Sequence, residues 1–246
     1  MNIARTDGIS LPPATLDIAT LKSTNFTSGA PMLKNHLDWS LVYAYPNFWG
    51  VIGQVFADVL LGGAYPDLML RYDNNMNLYD IIAYVAWHEL THSSQVNRMI
   101  SEKGIFFASD YWSGNVYQQA SNSMKDRNND GKADGDPYGL KGEERWQIIA
   151  LSEGWANYRE WKLASQYLGY NFSDQTLISF LKNNGFPRCY GALFVELKQL
   201  GCSYSNMEKS LATYNFSGYR DILITIYPSL RDSITAKVNR YENANY

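Results

Sequence analysis

The sequence predicts an α+β, mostly helical chain: a small sheet packed on a site-bearing helix, followed by a helical C-terminal part. Three observations carry this. Apolar residues recur at helical spacing over two long segments, 78–99 and 142–168. The run Asp67-Leu68-Met69-Leu70-Arg71-Tyr72 lies between Pro66 and Asp73-Asn74-Asn75, as a short strand does between turn residues. The last third alternates brief helical patterns with turns. The 246 residues suit one large domain or two small ones and are ample for a substantial core.

Residues 1–35 are rich in Pro, Thr, Ser and Gly and are expected to form an N-terminal arm; 36–246 then make a single domain. Asn47 to Leu61 is an apolar, helical segment closed by Gly62-Gly63. After the strand, Ile81, Val85, His88, His92, Val96 and Met99 share one helical face, which predicts a helix from Leu78 to about Met99. The next helix runs from about Gly142 to Leu168, with Glu143 and Glu144 in its first turn, where the helix dipole favours acids. Helices are expected over Gln175–Lys182, Ala192–Leu200, Met207–Tyr214, Arg220–Ile226 and Leu230–Tyr241.

The net charge of −3 supplies no basic surplus for a phosphate backbone and argues against nucleic acid as a partner. No stretch approaches the roughly 18 apolar residues that span a bilayer. The N-terminus lacks the apolar core of a signal peptide, so an exported protein would have lost its signal from this chain. Aromatics at 15% favour a cleft or a sticky surface lined by rings. Cys189 and Cys202 form either one bridge or two buried thiols.

The chemistry concentrates in His88-Glu89-Leu90-Thr91-His92. Residues four apart stand one turn above each other, so both imidazoles reach one tetrahedral ion. Glu89, rotated by about 100°, faces a water instead and can take its proton as general base. With 3 His in 246 residues, this pattern arises by chance in about one such chain in a thousand.

A hydrolytic zinc site takes three protein ligands. Glu153 interrupts the apolar stripe of Trp146, Ile149 and Ala150, and a buried carboxylate needs a partner or a metal. Gly154 beside it suggests the close approach of another backbone. Asn157, one turn on, is a candidate to orient a ligand histidine. Rivals for the third position are Glu160, whose neighbours Arg159 and Lys162 suggest a solvated pair, then Asp134 or Asp136, and His36. An oxyanion donor would come from Tyr or Arg; Tyr158, Tyr190 and Tyr204 are candidates, and none is singled out.

The pair of motifs, His88-Glu89-Leu90-Thr91-His92 followed by Glu153-Gly154-Trp155-Ala156-Asn157-Tyr158, resembles the gluzincin metallopeptidases, the thermolysin-like clan, over about residues 67–165. The resemblance implies a zincin-like fold, zinc on His88, His92 and Glu153, Glu89 as general base, and a peptide or protein substrate laid along the strand at 67–72. Two positions depart: Ser94, where the pattern has an apolar residue, and Asn157, where the thermolysin branch has aspartate.

Asp126-Arg127-Asn128-Asn129-Asp130-Gly131-Lys132-Ala133-Asp134 has oxygens at loop positions one, three, five and nine, with glycine at six. That is the first half of an EF-hand-type calcium loop, the Lys132 carbonyl standing at position seven. Pro137 holds position twelve, so Asp136 would have to supply the missing carboxylate; the other reading of 126–136 is a polar turn. A weak calcium site needs extracellular calcium, which points to export: periplasmic, cell-surface or secreted. The leading expectation is a zinc peptidase. The alternative is a non-catalytic, calcium-stabilised binding protein for glycans or proteins with a structural metal.

Overall fold

The computed structural model describes residues 2–11, 18–22, 68–72, 86–128, 135–136 and 138–244. A short helix α1 (Asn2–Asp7) opens the chain, and strands β1 (Ile18–Lys22) and β2 (Leu68–Tyr72) pair in parallel from Ile18↔Leu68 to Lys22↔Tyr72. Then come α2 (Trp87–Lys103), α3 (Ile105–Ser123), the long α4 (Trp146–Tyr167), α5 (Asp174–Lys182), a 3-10 turn (Arg188–Tyr190) and α6 (Gly191–Gln199). Helices α7 (Tyr204–Ser210), α8 (Phe216–Ile226) and α9 (Arg231–Asn243) complete it.

Helix α4 is the centre of the fold. Every residue from Ile148 to Glu160 is buried, including Ser152, Glu153, Asn157, Arg159 and Glu160. A helix covered on all sides has partners all round: α2 on one side, α6 and the 3-10 turn on another. Beyond them the core continues through Leu177, Phe194, Met207, Phe216, Leu223, Val238 and neighbouring residues. Three of the outer helices begin at side-chain caps. Ser173, Ser203 and Asn215 accept the backbone N–H groups of Thr176, Asn206 and Gly218, each satisfying a donor that the first turn leaves open.

Several expectations change. The α+β architecture with a small sheet packed on the site helix is overturned: the molecule is mostly helical, and no such packed sheet is seen among the described residues. The faces of α2 are taken by α3, α4 and α7 instead. The strands pair with each other, so Leu68–Tyr72 is extended as its flanking turn residues suggest. Helix α4 starts at Trp146 rather than at 142. Gly142 and Arg145 have φ of 91° and 59°, outside the helical region, and Glu143 stays in the preceding turn, paired with Lys125 and Arg127. Helix α3 is not predicted by the apolar spacing of its sequence. Its buried face mixes Tyr111 and Trp112 with Ser109, Asn115, Gln118 and Asn122, which blurs the apolar periodicity.

The start of the chain lies on the domain. Arg159 of α4 reaches Asp7, Ser94 donates to the Ser10 carbonyl, Asn97 donates to the Leu11 carbonyl at 2.7 Å, and the Ser10 N–H donates to Glu208 at 2.7 Å. Residues 7–11 are thereby tied to α2, α4 and α7. The expected helix at 47–61 lies outside the described residues. No helix among the described residues is long and apolar enough to cross a membrane.

Candidate metal centre

Helix α2 presents His88 and His92 one turn apart, their rings edge to face with centroids 4.8 Å apart. Packed against it, α4 presents Glu153. His88 Nε2 lies 3.2 Å from His92 Nε2 and 3.2 Å from Glu153 Oε2, while Glu153 Oε1 lies 3.6 Å from His92 Nε2. These three side chains are the one group of potential metal donors found among the described residues, with ligand atoms all within 4.8 Å of one another. Zinc held at its usual N and O bond lengths of about 2.0–2.2 Å sets tetrahedral neighbours about 3.3–3.5 Å apart. The observed separations straddle that edge length, so the donor set fits such an ion.

On its other side α4 packs closely on the 3-10 turn and α6, and this has a local cause. A Cβ at Gly154 would stand 2.9 Å from the carbonyl carbon of Tyr190 and 3.1 Å from the nitrogen of Gly191. Only glycine lets the 3-10 turn and α6 press on α4 there, next to Glu153.

The outer nitrogens are also engaged. His88 Nδ1 lies 3.0 Å from Glu160 Oε2, and His92 Nδ1 lies 3.4 Å from Ser152 Oγ. Ser152 donates to Gln95 Oε1 at 3.1 Å, and Gln95 Nε2 donates to the Tyr111 hydroxyl at 3.4 Å. Trp112 packs on the His92 ring at 5.2 Å between centroids.

Three carboxylates, Glu89, Glu153 and Glu160, are buried here. Among the described residues the ion-pair partners of Glu153 and Glu160 are histidines. Burial opposes ionisation of Glu153, but the neighbouring His92 and His88 outweigh it and hold its carboxyl far below the usual range. At Glu89 and Glu160 burial wins, and both carboxyls are pushed up. Burial alone would lower the His88 imidazole; hydrogen bonds to Glu153 and Glu160 reverse that and raise it well above its ordinary value. A buried, ionised Glu153 beside two histidines and two further buried carboxyls is an arrangement that a dication would stabilise.

The remaining expected residues fall as follows. Asn157 donates to the carbonyl of Glu153 on its own helix at 2.7 Å, and the carboxylate on His88 is Glu160. Glu160 is therefore no solvated pair with its neighbours: Arg159 is itself buried and turns to Asp7. Tyr158 and Tyr190 are core residues at 1% and 0% exposure. At Tyr138 the charge on Glu153, then burial and Glu89, push the hydroxyl well up, and Arg188 pulls the other way. Cys189 and Cys202 are free and buried, and burial pushes their thiols to about 12 and 11, so neither supplies a thiolate.

Of the acidic loop, Asp130, Lys132 and Asp134 lie outside the described residues, as does His36. Asp126 and Asn128 are exposed, and Asp136 accepts the N–H of Tyr138 at 2.8 Å, a turn-forming bond. In comparison with known proteins, no family model, no curated protein and no solved structure matches the chain.

Proposed function

We propose that the chain is a zinc-dependent peptidase, with His88, His92 and Glu153 as ligands and Glu89 as general base. One observation carries the reading. With His88 Nδ1 facing the Glu160 carboxylate and His92 Nδ1 facing Ser152, the two Nε2 atoms are directed at each other at 3.2 Å, beside a third anionic donor. Without an ion the raised His88 imidazole supplies the proton that these acceptors share, and a tetrahedral cation, which the donor separations suit, would take that proton's place. Three protein donors leave a position for water, as hydrolytic sites do.

When bound, zinc would supply Lewis acidity toward a carbonyl oxygen and lower the pKa of a coordinated water toward neutrality. The protein's own groups do the rest. Glu89 stands one residue beyond His88 and is not among the three clustered donors. Its raised carboxyl is suited to accept a proton from the attacking water and to return it to the leaving amine. Glu160 holds the proton on His88 Nδ1 and so directs Nε2 inward. Calcium in the 126–136 loop and export from the cytosol accompany this reading as proposals of their own.

The test is Glu89→Gln. It should keep one zinc per chain while hydrolysis of a quenched-fluorescent peptide library falls by about two orders of magnitude or more. Stoichiometric zinc with hydrolysis unchanged removes Glu89 from the mechanism, and a zinc-loaded parent that cleaves no peptide overturns the peptidase reading.

A further inference from the structure

Behind His92 lies a hydrogen-bonded chain, sealed from water, whose polarity decides whether Nε2 of that histidine is an open donor. Gln95 and Tyr111 are 0% exposed and Ser152 is 1% exposed, so no solvent is available to complete or reverse their hydrogen bonds. We propose that Tyr111, Gln95 and Ser152 act as a positioning relay that holds His92 as the Nδ1–H tautomer, and that the orientation of the Gln95 amide sets it. The proposal rests on the zinc reading for its consequence, not for its geometry.

The direction follows from donor and acceptor chemistry. A primary amide has one accepting end and one donating end. In the observed orientation Gln95 Oε1 accepts the Ser152 hydroxyl at 3.1 Å and Gln95 Nε2 donates to Tyr111 at 3.4 Å. The Ser152 proton is then committed to Gln95, and its oxygen can only accept from His92 Nδ1, 3.4 Å away. That places the imidazole proton on Nδ1 and leaves the Nε2 lone pair facing His88 and Glu153. The opposite orientation reverses every step. Tyr111 would donate to Gln95 Oε1, Gln95 Nε2 to Ser152, and Ser152 to His92 Nδ1. The imidazole proton would move to Nε2, where it excludes a metal. The relay has two self-consistent polarities, and one of them is competent. Trp112 lies parallel to Tyr111 and packs tilted on the His92 ring, so it touches both ends of the relay.

Two substitutions of nearly equal size separate this from a packing role. Gln95→Glu has acceptors at both ends, so it takes the protons of Ser152 and Tyr111 and admits only the competent polarity. Gln95→Met has neither function and frees Ser152 to donate to His92. Zn²⁺ alone, titrated into the full-length apo-protein against a chromophoric chelator, should bind Gln95→Met about 10–100-fold more weakly than the parent. Gln95→Glu should bind at least as tightly as the parent, although its buried charge lowers the melting temperature of the apo-protein. Affinity and stability therefore move in opposite directions in the glutamate variant, which a merely structural role does not produce. Two-bond ¹H–¹⁵N correlations of the parent apo-protein should show the proton of neutral His92 on Nδ1. Equal zinc affinity for parent and Gln95→Met, or a parent His92 protonated on Nε2, overturns the relay even if a variant fails to fold. A parent that binds no zinc refutes the metal reading instead, while the tautomer measurement still decides the relay.

Discussion

Gly154→Ala is a small perturbation with two opposing effects that can be weighed. In an exposed helix interior, alanine stabilises by about 1 kcal/mol relative to glycine. Here the new Cβ would stand 2.9 Å from the Tyr190 carbonyl carbon, 2.9 Å from the Tyr190 Cβ and 3.1 Å from the Gly191 nitrogen. These are backbone or near-backbone atoms, and no rotamer change moves them aside. Relief requires α4 and the 3-10 turn to separate by roughly half an ångström or more, and overpacking of this kind typically costs 1–3 kcal/mol. The net expectation is a destabilisation of about 1 kcal/mol, or about 2–4 °C in melting temperature for a chain of this size. Because Glu153 is the adjacent residue, the same displacement moves its carboxylate against α2, where donor separations of 3.2 and 3.6 Å already match a tetrahedral edge. Metal sites tolerate about 0.5 Å of error, so zinc affinity should fall by roughly tenfold. Urea unfolding of the apo-protein and chelator competition measure the two effects separately. A variant more stable by about 1 kcal/mol with zinc affinity intact would show that helix propensity prevails and that the glycine contact is not what sets the position of Glu153.

The Glu208 carboxyl, buried beneath the N-terminal arm, is pushed up to about 7 from an ordinary 4.5. Its favourable contribution is therefore complete below the unfolded value and is lost as pH rises through about 7, a span worth on the order of 3 kcal/mol. Glu208→Gln should flatten the fall in stability between pH 5 and pH 8, and urea midpoints with the same pH slope as the parent would refute this assignment. For the 126–136 loop, millimolar calcium should raise the melting temperature of the dialysed parent but not that of Asp130→Ala, with zinc content equal in both; a parent midpoint indifferent to calcium makes the loop a polar turn.

The histidine pair was legible because a four-residue spacing is a statement about one helical face, whatever the rest of the chain does. Glu153 was legible because a carboxylate in an apolar stripe demands a partner. Glu160 was not, for a related reason. Its charged neighbours Arg159 and Lys162 imply solvent, and no pattern in the sequence reveals that α4 is covered on every side, so that Arg159 finds its partner at Asp7, 152 residues away. The buried chain behind His92 escaped for the same cause: Gln95, Ser152 and Tyr111 are unremarkable singly and meet only when α2, α3 and α4 pack. The packed sheet is expected from the strand at 67–72 and the helix that follows it; among the described residues α3, α4 and α7 pack on α2 instead.

Helix α2 is unusual in what it buries. Glu89, Thr91, His92, Ser93, Ser94 and Gln95 are all withdrawn from water, while Val96 and Met99 are its main apolar anchors. A helix seated largely through polar side chains draws little hydrophobic stabilisation from its interface and depends on the completeness of its hydrogen bonds. Such an element belongs to the low end of the local-stability spectrum. Occupancy of the proposed metal site and the local order of α2 are then one equilibrium: a cation on His88, His92 and Glu153 should slow amide exchange along the helix, and its removal should open this helix before it disturbs the apolar centre around α6 and α8.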